Sequence, residues 1–418
     1  MLSHEDNDTL TKVGAEAPMG KFLRRFWMPV LLASEISERD GAPVRIRLLG
    51  EDLVAFRDSE GRVGLLDEHC PHRRASLGLA LNAESGLRCL YHGWKFGVDG
   101  RCLDAPTEAK SERFCAQIRT TAYPTHEAGA VIWAYMGPAD QQPVFPNFEW
   151  LEMPGAQCVP FKLLEDCNYA QAVEGTIDSA HAGVLHKSSP WDAPARFPHE
   201  RDLTPKLEIE YTRCGFRYGA IRKLDEERAH VRITQVVLPF YTVIPPDGAG
   251  PRKDRRLINA FVPRDDYSTW HIQWFFDHTQ PIDVAFRIDE GGHWVDENFR
   301  KVRNIDNWYL QDREAMRKSE FSGIRGIVTQ DHAVSETQGR ILDRSKEHLG
   351  ASDIAVVAWR RLMLKTARAL AERGETPTAL TPDFPWQEVR STTTVYPKDR
   401  SWKQEVPLST ALSAGPKS

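Results

Sequence analysis

The sequence predicts an α+β chain of two domains, an all-β N-terminal domain followed by a larger domain that combines an antiparallel sheet with helices. Three observations predict it. Apolar and polar residues alternate between Gly-marked turns across residues 40–140, as half-buried antiparallel strands do. Beyond a Pro-rich linker the alternation resumes, now interleaved with stretches of helical spacing. The chain of 418 residues is also too long for one small core.

Residues 1–39 read as an N-terminal helical segment packing on the second domain, with residues 19–33 as a short helix or turn. The run from Val44 to Cys70 then alternates, with turns at Gly50 and at Asp58 to Gly61, and further strands are expected around Leu87 to Phe96 and Tyr123 to Met136. The first domain therefore spans 40–155, ending in a linker marked by Pro138, Pro143, Pro146 and Pro154. In the second domain, 156–405, residues 165–186 lack alternation and fit a helix. Two β runs between Lys206 and Ile244 flank a charged turn at Asp225 to Arg228, and Leu257 to Asp277 adds strand. Val295 to Lys318 and Ile354 to Glu372 have helical spacing, and residues 406–418, rich in Ser, Ala, Gly and Pro, read as a disordered tail.

A net charge of -5 and 27% charged residues give no electrostatic bias toward nucleic acid or anionic membrane. The most apolar early stretch, Phe26 to Ala33, is short and interrupted by Pro29, and no run approaches membrane-spanning length. Seven cysteines, an odd number in a long chain, argue for a cytoplasmic protein whose thiols are free to bind metal rather than for a disulfide framework.

Two short segments carry one cysteine and one histidine each: Cys70-Pro71-His72 and, after sixteen residues, Cys89-Leu90-Tyr91-His92. A Rieske 2Fe-2S cluster needs this asymmetry, with two thiolates on one iron and two imidazoles on the other, the imidazoles raising its potential. Gly93, without a Cβ, is expected to let the loop crowd the inorganic sulfurs and offer them N–H groups. A structural zinc site uses the same residue types but belongs in a much smaller metal-dependent domain. Cys102, Cys115, Cys158, Cys167 and Cys214 lack such pairing and read as small buried hydrophobes.

Farther on, Glu174, Asp178 and His181 fall at i, i+4 and i+7, one face of a helix, where the carboxylates can support the imidazole. His186 would lie about 140° further round an ideal helix, so it converges with His181 only if the helix ends or distorts, Gly183 being a plausible break. Two histidines and a carboxylate on one side of an iron leave positions open for O2 and substrate. Spacing alone does not select the carboxylate among Asp306, Asp312, Asp331, Asp343 and Asp353.

Together, CPHR, CLYHGWKF and the EGxxDxxHxxxxH pattern make the chain resemble the Rieske non-heme iron aromatic ring-hydroxylating oxygenases, most closely the phthalate and phenoxybenzoate dioxygenase type. The resemblance runs from PMGKFLRRFWMPV through QDHAVSETQGRILDRSKEHLG. It implies a helix-grip-like catalytic domain and an iron held by His181, His186 and Asp331, with Glu336 in support. It further implies that Asp178 bridges a cluster histidine of one subunit to an iron histidine of the next, so that the working unit is a head-to-tail trimer or stacked trimers. Asn168 is similar to an asparagine near the iron in relatives, although a helix-end role fits equally. The implied activity is dihydroxylation of an aromatic carboxylate with O2, monohydroxylation or O-demethylation being open alternatives.

No Gly-rich dinucleotide fingerprint follows a strand, so a separate reductase is required; the resemblance implies that it is NADH-dependent and carries flavin and 2Fe-2S. Arg217, Arg222 and Arg232, on predicted strands, are candidates to hold an acidic substrate, against the ordinary reading of solvent-facing arginines. Trp270, Trp274, Phe275 and Phe276 either line the pocket or are plain core. The rival from another class is a non-catalytic Rieske electron-transfer protein, which would hold two irons per chain rather than three.

Overall fold

The alternation of residues 44–67 becomes three antiparallel strands, Val44–Leu48, Glu51–Arg57 and Val63–Asp67, in the computed structural model, which describes residues 1–195, 198–246 and 255–413. The first hairpin closes on Leu49 and Gly50, with φ of +48° and +83°. Two left-handed residues are what a two-residue hairpin turn requires, and Gly50 takes its place without strain. Four short strands, Leu81–Ala83, Gly86–Arg88, Lys95–Phe96 and Cys102–Asp104, form a second antiparallel sheet. The first cluster motif joins the two sheets, and the second lies between the middle strands of the four. The domain has its own core of Val54, Phe56, Leu66, Leu77, Leu87, Trp94 and Phe96.

Residues 19–33 divide differently from the reading as one helix or turn. The helix Pro18–Leu23 is followed by the strand Trp27–Leu32, which pairs with Val131–Tyr135 and thereby ties the N-terminal segment to the β domain. An unbroken apolar run without a helix cap favours the strand. Pro29 is tolerated because the strand is at the sheet edge, where the register also slips.

The second domain is built on an eight-stranded antiparallel sheet in the order Cys158–Glu165, Thr269–Phe276, Arg256–Pro263, Tyr241–Ile244, Arg228–Val237, Gly215–Lys223, Lys206–Thr212, with Thr392–Pro397 also pairing with Arg228–Val237. The helices Tyr169–Ile177, Ile327–Glu336 and Ile354–Arg373 complete it. One face of the central strands is apolar: Ile258, Ala260, Ile272 and Trp274 are buried, and Trp274 stacks on Trp133 of the β domain at 5.7 Å. Trp274 and Phe276, the latter 6.4 Å from Trp150, are therefore core. The opposite face carries buried Asn259, His271 and Gln273.

The expected helix over Val295 to Lys318 is not formed. Val295 instead bridges to Lys301, a 3-10 turn spans Ile305–Leu310, and only Ala315–Lys318 is helical. Asn304, Asn307 and Asp312 bond backbone groups with their side chains, the local competition that removes such residues from helix interiors. The genuine helix precedes this segment at Val284–Gly291. The segment read as a disordered tail is held as far as Ser413: Leu412 is buried and its carbonyl accepts from the Arg213 amide. Residues 414–418 of that expectation lie outside the described residues.

Candidate metal centres

Each cluster motif is a loop that closes on its own cysteine. Cys70 donates its amide to Ala75 O and accepts from the Arg74 amide, each at 2.9 Å, while Cys89 donates to Trp94 O at 2.8 Å and accepts from Gly93 at 3.0 Å. Gly93 thus spends its N–H on the loop rather than offering it to a sulfur. Its φ of +75° favours glycine, and any Cβ at this position would lie 2.8 Å from Pro106 Cγ. The two thiols are buried, with His72 and His92 half-buried at the rim and Leu90 and Tyr91 exposed beside them. The imidazole rings lie 4.4 Å apart, and His72 stacks flat on Trp94 at 4.3 Å.

Burial, and then the neighbouring Cys89, push the Cys70 thiol up to about 11. Burial and then His72 push the His92 imidazole down. Proximity of like groups at this cost, together with a buried His92 Nδ1 that has no partner, fits a site meant to hold a 2Fe-2S group. The other five cysteines are buried as expected, though Cys102 and Cys115 bring their sulfurs to 3.0 Å of each other.

The second donor set is created by a helix that stops. Asn168 caps Tyr169–Ile177, accepting from the Ala170 amide and donating to Thr11 O and Asp266 O. With these bonds it serves the helix end and the N-terminal segment, not the iron ligands. The helix ends at Asp178, whose backbone is extended and whose Oδ1 accepts from the Ala180 amide at 2.7 Å. The break therefore comes before His181, earlier than Gly183, and a 3-10 turn over His181–Gly183 re-aims the chain. Gly183 is still essential to that turn, since a Cβ there would lie 2.1 Å from His199 O.

As a result His181 Nε2 and His186 Nε2 come within 3.2 Å, and Asp331 Oδ1, from the helix Ile327–Glu336, lies 3.5 Å from the first and 3.1 Å from the second. All three residues are half-buried, so the point they share is reachable. Burial opposes charge on Asp331, but the two histidines outweigh it and its carboxyl titrates lower than usual. His181 is pushed down, by burial and then by His186. Two imidazole nitrogens and one carboxylate oxygen facing a common point fit a non-heme iron with open positions.

Asp178 Oδ2 stands 3.8 Å behind His181 Nδ1. Glu174 does not join it. Its buried carboxylate takes Arg344 at 2.9 Å and Arg360 at 2.7 Å, so it anchors the helix rather than the imidazole. Glu336 accepts from the Asp166 amide at 2.9 Å and from the Tyr309 hydroxyl, supporting the fold around the ligand helix.

Sequence reasoning missed Gln330, whose Oε1 lies 2.7 Å from His186 Nδ1; its place beside Asp331 was the available signal. It also missed a second group, Glu165, His271 and His332, drawn from strands and a helix far apart in sequence. That group is sealed from solvent, and the buried Lys301 stands close enough to favour charge on its carboxylate. The half-buried triad is the one substrates can reach.

The three arginines separate clearly. Arg217 is spent on Glu210 and Val406 O. Arg222 holds the iron loop, donating to Ser179 O at 2.7 Å and Asp202 O at 3.1 Å. Arg232 makes one long bond, 3.4 Å to Pro245 O, and its buried Nε has no partner. His230, directly across the strand pair from Arg222, also has a buried unpartnered Nδ1. Burial, then Arg232 and Arg222, push His230 down to about 4, and burial with Arg232 pushes Arg222 down to about 10. The charge of Arg232 is felt at His186.

A β domain with a cysteine-histidine cluster cradle, followed by an antiparallel-sheet domain with a two-histidine, one-carboxylate triad, defines the class of Rieske non-heme iron oxygenases. Two family descriptions match the same division: "Rieske [2Fe-2S] domain" over residues 26–124 and "LigXa C-terminal domain like" over residues 134–411. The phthalate 4,5-dioxygenase oxygenase subunit of Pseudomonas putida is 41% identical, over 96% of this chain and 94% of its own length. The 3-chlorobenzoate-3,4-dioxygenase oxygenase subunit of Comamonas testosteroni is 32% identical over 96% and 97%, and the 5,5'-dehydrodivanillate O-demethylase oxygenase subunit of a Sphingobium strain 32% over 92% and 84%. Among solved structures, dicamba monooxygenase bound to dicamba superimposes with a TM-score of 0.62 at 19% identity, over 84% of this chain and all of that one. The chain belongs to the Rieske ring-hydroxylating oxygenases, as a terminal oxygenase component with a 2Fe-2S cluster and a mononuclear iron. The non-catalytic electron-transfer reading does not fit a chain with this second domain. Among the described residues no helix is long and apolar enough to cross a membrane.

Proposed function

We propose that the protein dihydroxylates an aromatic carboxylate, of the phthalate, phenoxybenzoate or substituted benzoate kind, with O2 and electrons from a separate NADH-dependent reductase. The observation that carries the substrate class is the Arg232 guanidinium, whose buried Nε has no partner, on the same sheet face as Arg222, which holds the iron loop. A buried donor without an acceptor costs about 1–3 kcal/mol, and a substrate carboxylate would supply the acceptor. The relatives are named for phthalate and chlorobenzoate, which agrees with that chemistry.

In this reading Cys70, Cys89, His72 and His92 hold the cluster, and His181, His186 and Asp331 hold the mononuclear iron. When bound, the cluster supplies single electrons and the iron activates O2. The chain's own residues do the rest. Arg232 orients the substrate by its carboxylate, Arg222 fixes the Ser179 turn, and Asp178 holds His181 while facing the cluster of a neighbouring subunit in a head-to-tail trimer. Such a contact must close into a ring to serve every site. In the proposed division, residues 1–39 link the domains 40–155 and 156–405, with the strand Trp27–Leu32 joined to the sheet of the first.

The test is product analysis with a surrogate reductase, NADH and a panel of phthalates, benzoates, phenoxybenzoates and methoxybenzoates. A cis-diol from an aromatic acid is expected; formaldehyde from methoxybenzoates without diol would make the enzyme an O-demethylase instead. Arg232→Gln should raise KM for the carboxylate at least tenfold and leave KM for the corresponding methyl ester unchanged. Equal KM effects on acid and ester would remove Arg232 from substrate recognition.

A further inference from the structure

We infer that Gln330 is a positioning residue for the mononuclear iron: held by Glu320, it fixes the orientation and tautomer of His186. This rests on the reading of His181, His186 and Asp331 as the ligand set. His186 follows the turn His181–Gly183 and belongs to no helix or strand, so its own backbone does little to orient it. Its ring is instead gripped at both nitrogens by consecutive residues of the helix Ile327–Glu336. Nε2 lies 3.1 Å from Asp331 Oδ1 and Nδ1 lies 2.7 Å from Gln330 Oε1.

Gln330 is buried, and its amide can face only one way. Nε2 donates to Glu320 Oε1 at 2.7 Å and to Ile324 O at 2.8 Å. A flipped amide would set its oxygen against both of those acceptors. The oxygen must therefore face His186, which in turn must donate from Nδ1. That leaves the Nε2 lone pair aimed at the point shared with His181 and Asp331, the tautomer a metal ligand needs. His181 is supported locally instead, by the backbone of Asp178 and by its carboxylate at 3.8 Å. The two iron histidines are thus held differently, His186 by the buried interior of another helix and His181 by its own neighbour Asp178.

The measurement is the dissociation constant of the mononuclear ion, by chelator competition on the full-length protein with its cluster in place, together with the EPR of the Fe(II)–nitric oxide adduct. Gln330→Met should weaken the ion by about 10- to 100-fold and broaden the nitrosyl signal, leaving the cluster's reduced EPR unchanged. Gln330→Glu should also weaken it, because the new carboxylate would face Glu320. Adding Glu320→Gln should recover at least half of that loss on a logarithmic scale, since an amide at 320 can donate to a carboxylate at 330. A merely structural role would not give that rescue. Asp331→Ala is the control. If it loses the ion while Gln330→Met stays within twofold of the unsubstituted protein, the inference is overturned; if Asp331→Ala keeps the ion, the ligand set itself is overturned. Should Gln330→Met fail to fold, equal affinities in Gln330→Glu and the double variant would overturn it alone.

Discussion

Asp331 and His332 are neighbours on one helix, yet the first reaches an open site and the second a sealed one, and this difference decides what each can do. Asp331 is half-buried beside two imidazoles, whereas His332 is fully buried, 3.0 Å from His271. Asp331→Ala should keep a reducible cluster while losing mononuclear iron and turnover, a result read directly by metal analysis alongside EPR; two irons per chain instead of three is the expected count for that variant. The sealed cluster makes its own prediction through Lys301. Burial pulls its ammonium down to about 7, against the pull of Glu336, Asp331 and Glu165. An unfolded lysine titrates near 10.4, so between about pH 7 and 10 the unfolded chain binds a proton that the folded chain does not. Stability should therefore rise with pH across that window, because the penalty for a charged buried Lys301 is fully present below pH 7. Lys301→Met should abolish that rise, worth about 2–4 kcal/mol, measured as the difference in urea midpoint between the two proteins at pH 7 and pH 9.5. Parallel midpoints at both pH values would contradict it.

At the scale of elements, the iron site depends on where a helix ends, and this is the feature the sequence concealed. Helical spacing correctly places Asp178 and His181 near each other, but it also places Glu174 with them, and the structure sends Glu174 to Arg344 and Arg360 instead. Those partners are 170 and 186 residues away along the chain, beyond any local periodicity. Gly183 was legible as a special position and is one, although for packing against His199 rather than for breaking the helix. Gly183→Ala should force the turn apart by about 1–3 kcal/mol of strain and lower iron retention without touching the cluster; unchanged iron content would mean that the turn tolerates the shift. The cluster loops were legible because all four donors lie within two short segments whose chemistry is self-explanatory. Asp331 was not, since its helix meets His181 and His186 only through the tertiary fold, and spacing left five aspartates open. The misread segment from Val295 to Lys318 shows the same limit from the other side: its periodicity suggested a helix, while its Asn and Asp side chains bond the backbone and prevent one.

The whole molecule raises the question of which cluster feeds which iron. The cluster histidines stand at an exposed rim with Leu90 and Tyr91, and Asp178 stands half-buried beside His181, so each half of an electron path faces outward. In the proposed ring, one chain's rim meets the next chain's Asp178. This can be tested without knowing the geometry of the interface, by mixing two inactive proteins. One carries His92→Ala and cannot hold a working cluster; the other carries Asp331→Ala and cannot hold mononuclear iron. Co-refolded or co-expressed, they form mixed oligomers in which an intact cluster of the second chain neighbours an intact iron of the first. Transfer between subunits then restores activity in proportion to the number of such junctions, about a quarter of the normal level at equal mixing when partners assemble at random. Transfer within one chain restores none, because no single chain holds both centres. Adding Asp178→Asn to the His92→Ala chain should abolish the recovered activity while leaving both metals bound, because that chain supplies the iron side of every productive junction. The same substitution placed only on the Asp331→Ala chain should have no effect, and a loss of activity there would show that Asp178 works otherwise than as the link between neighbouring subunits.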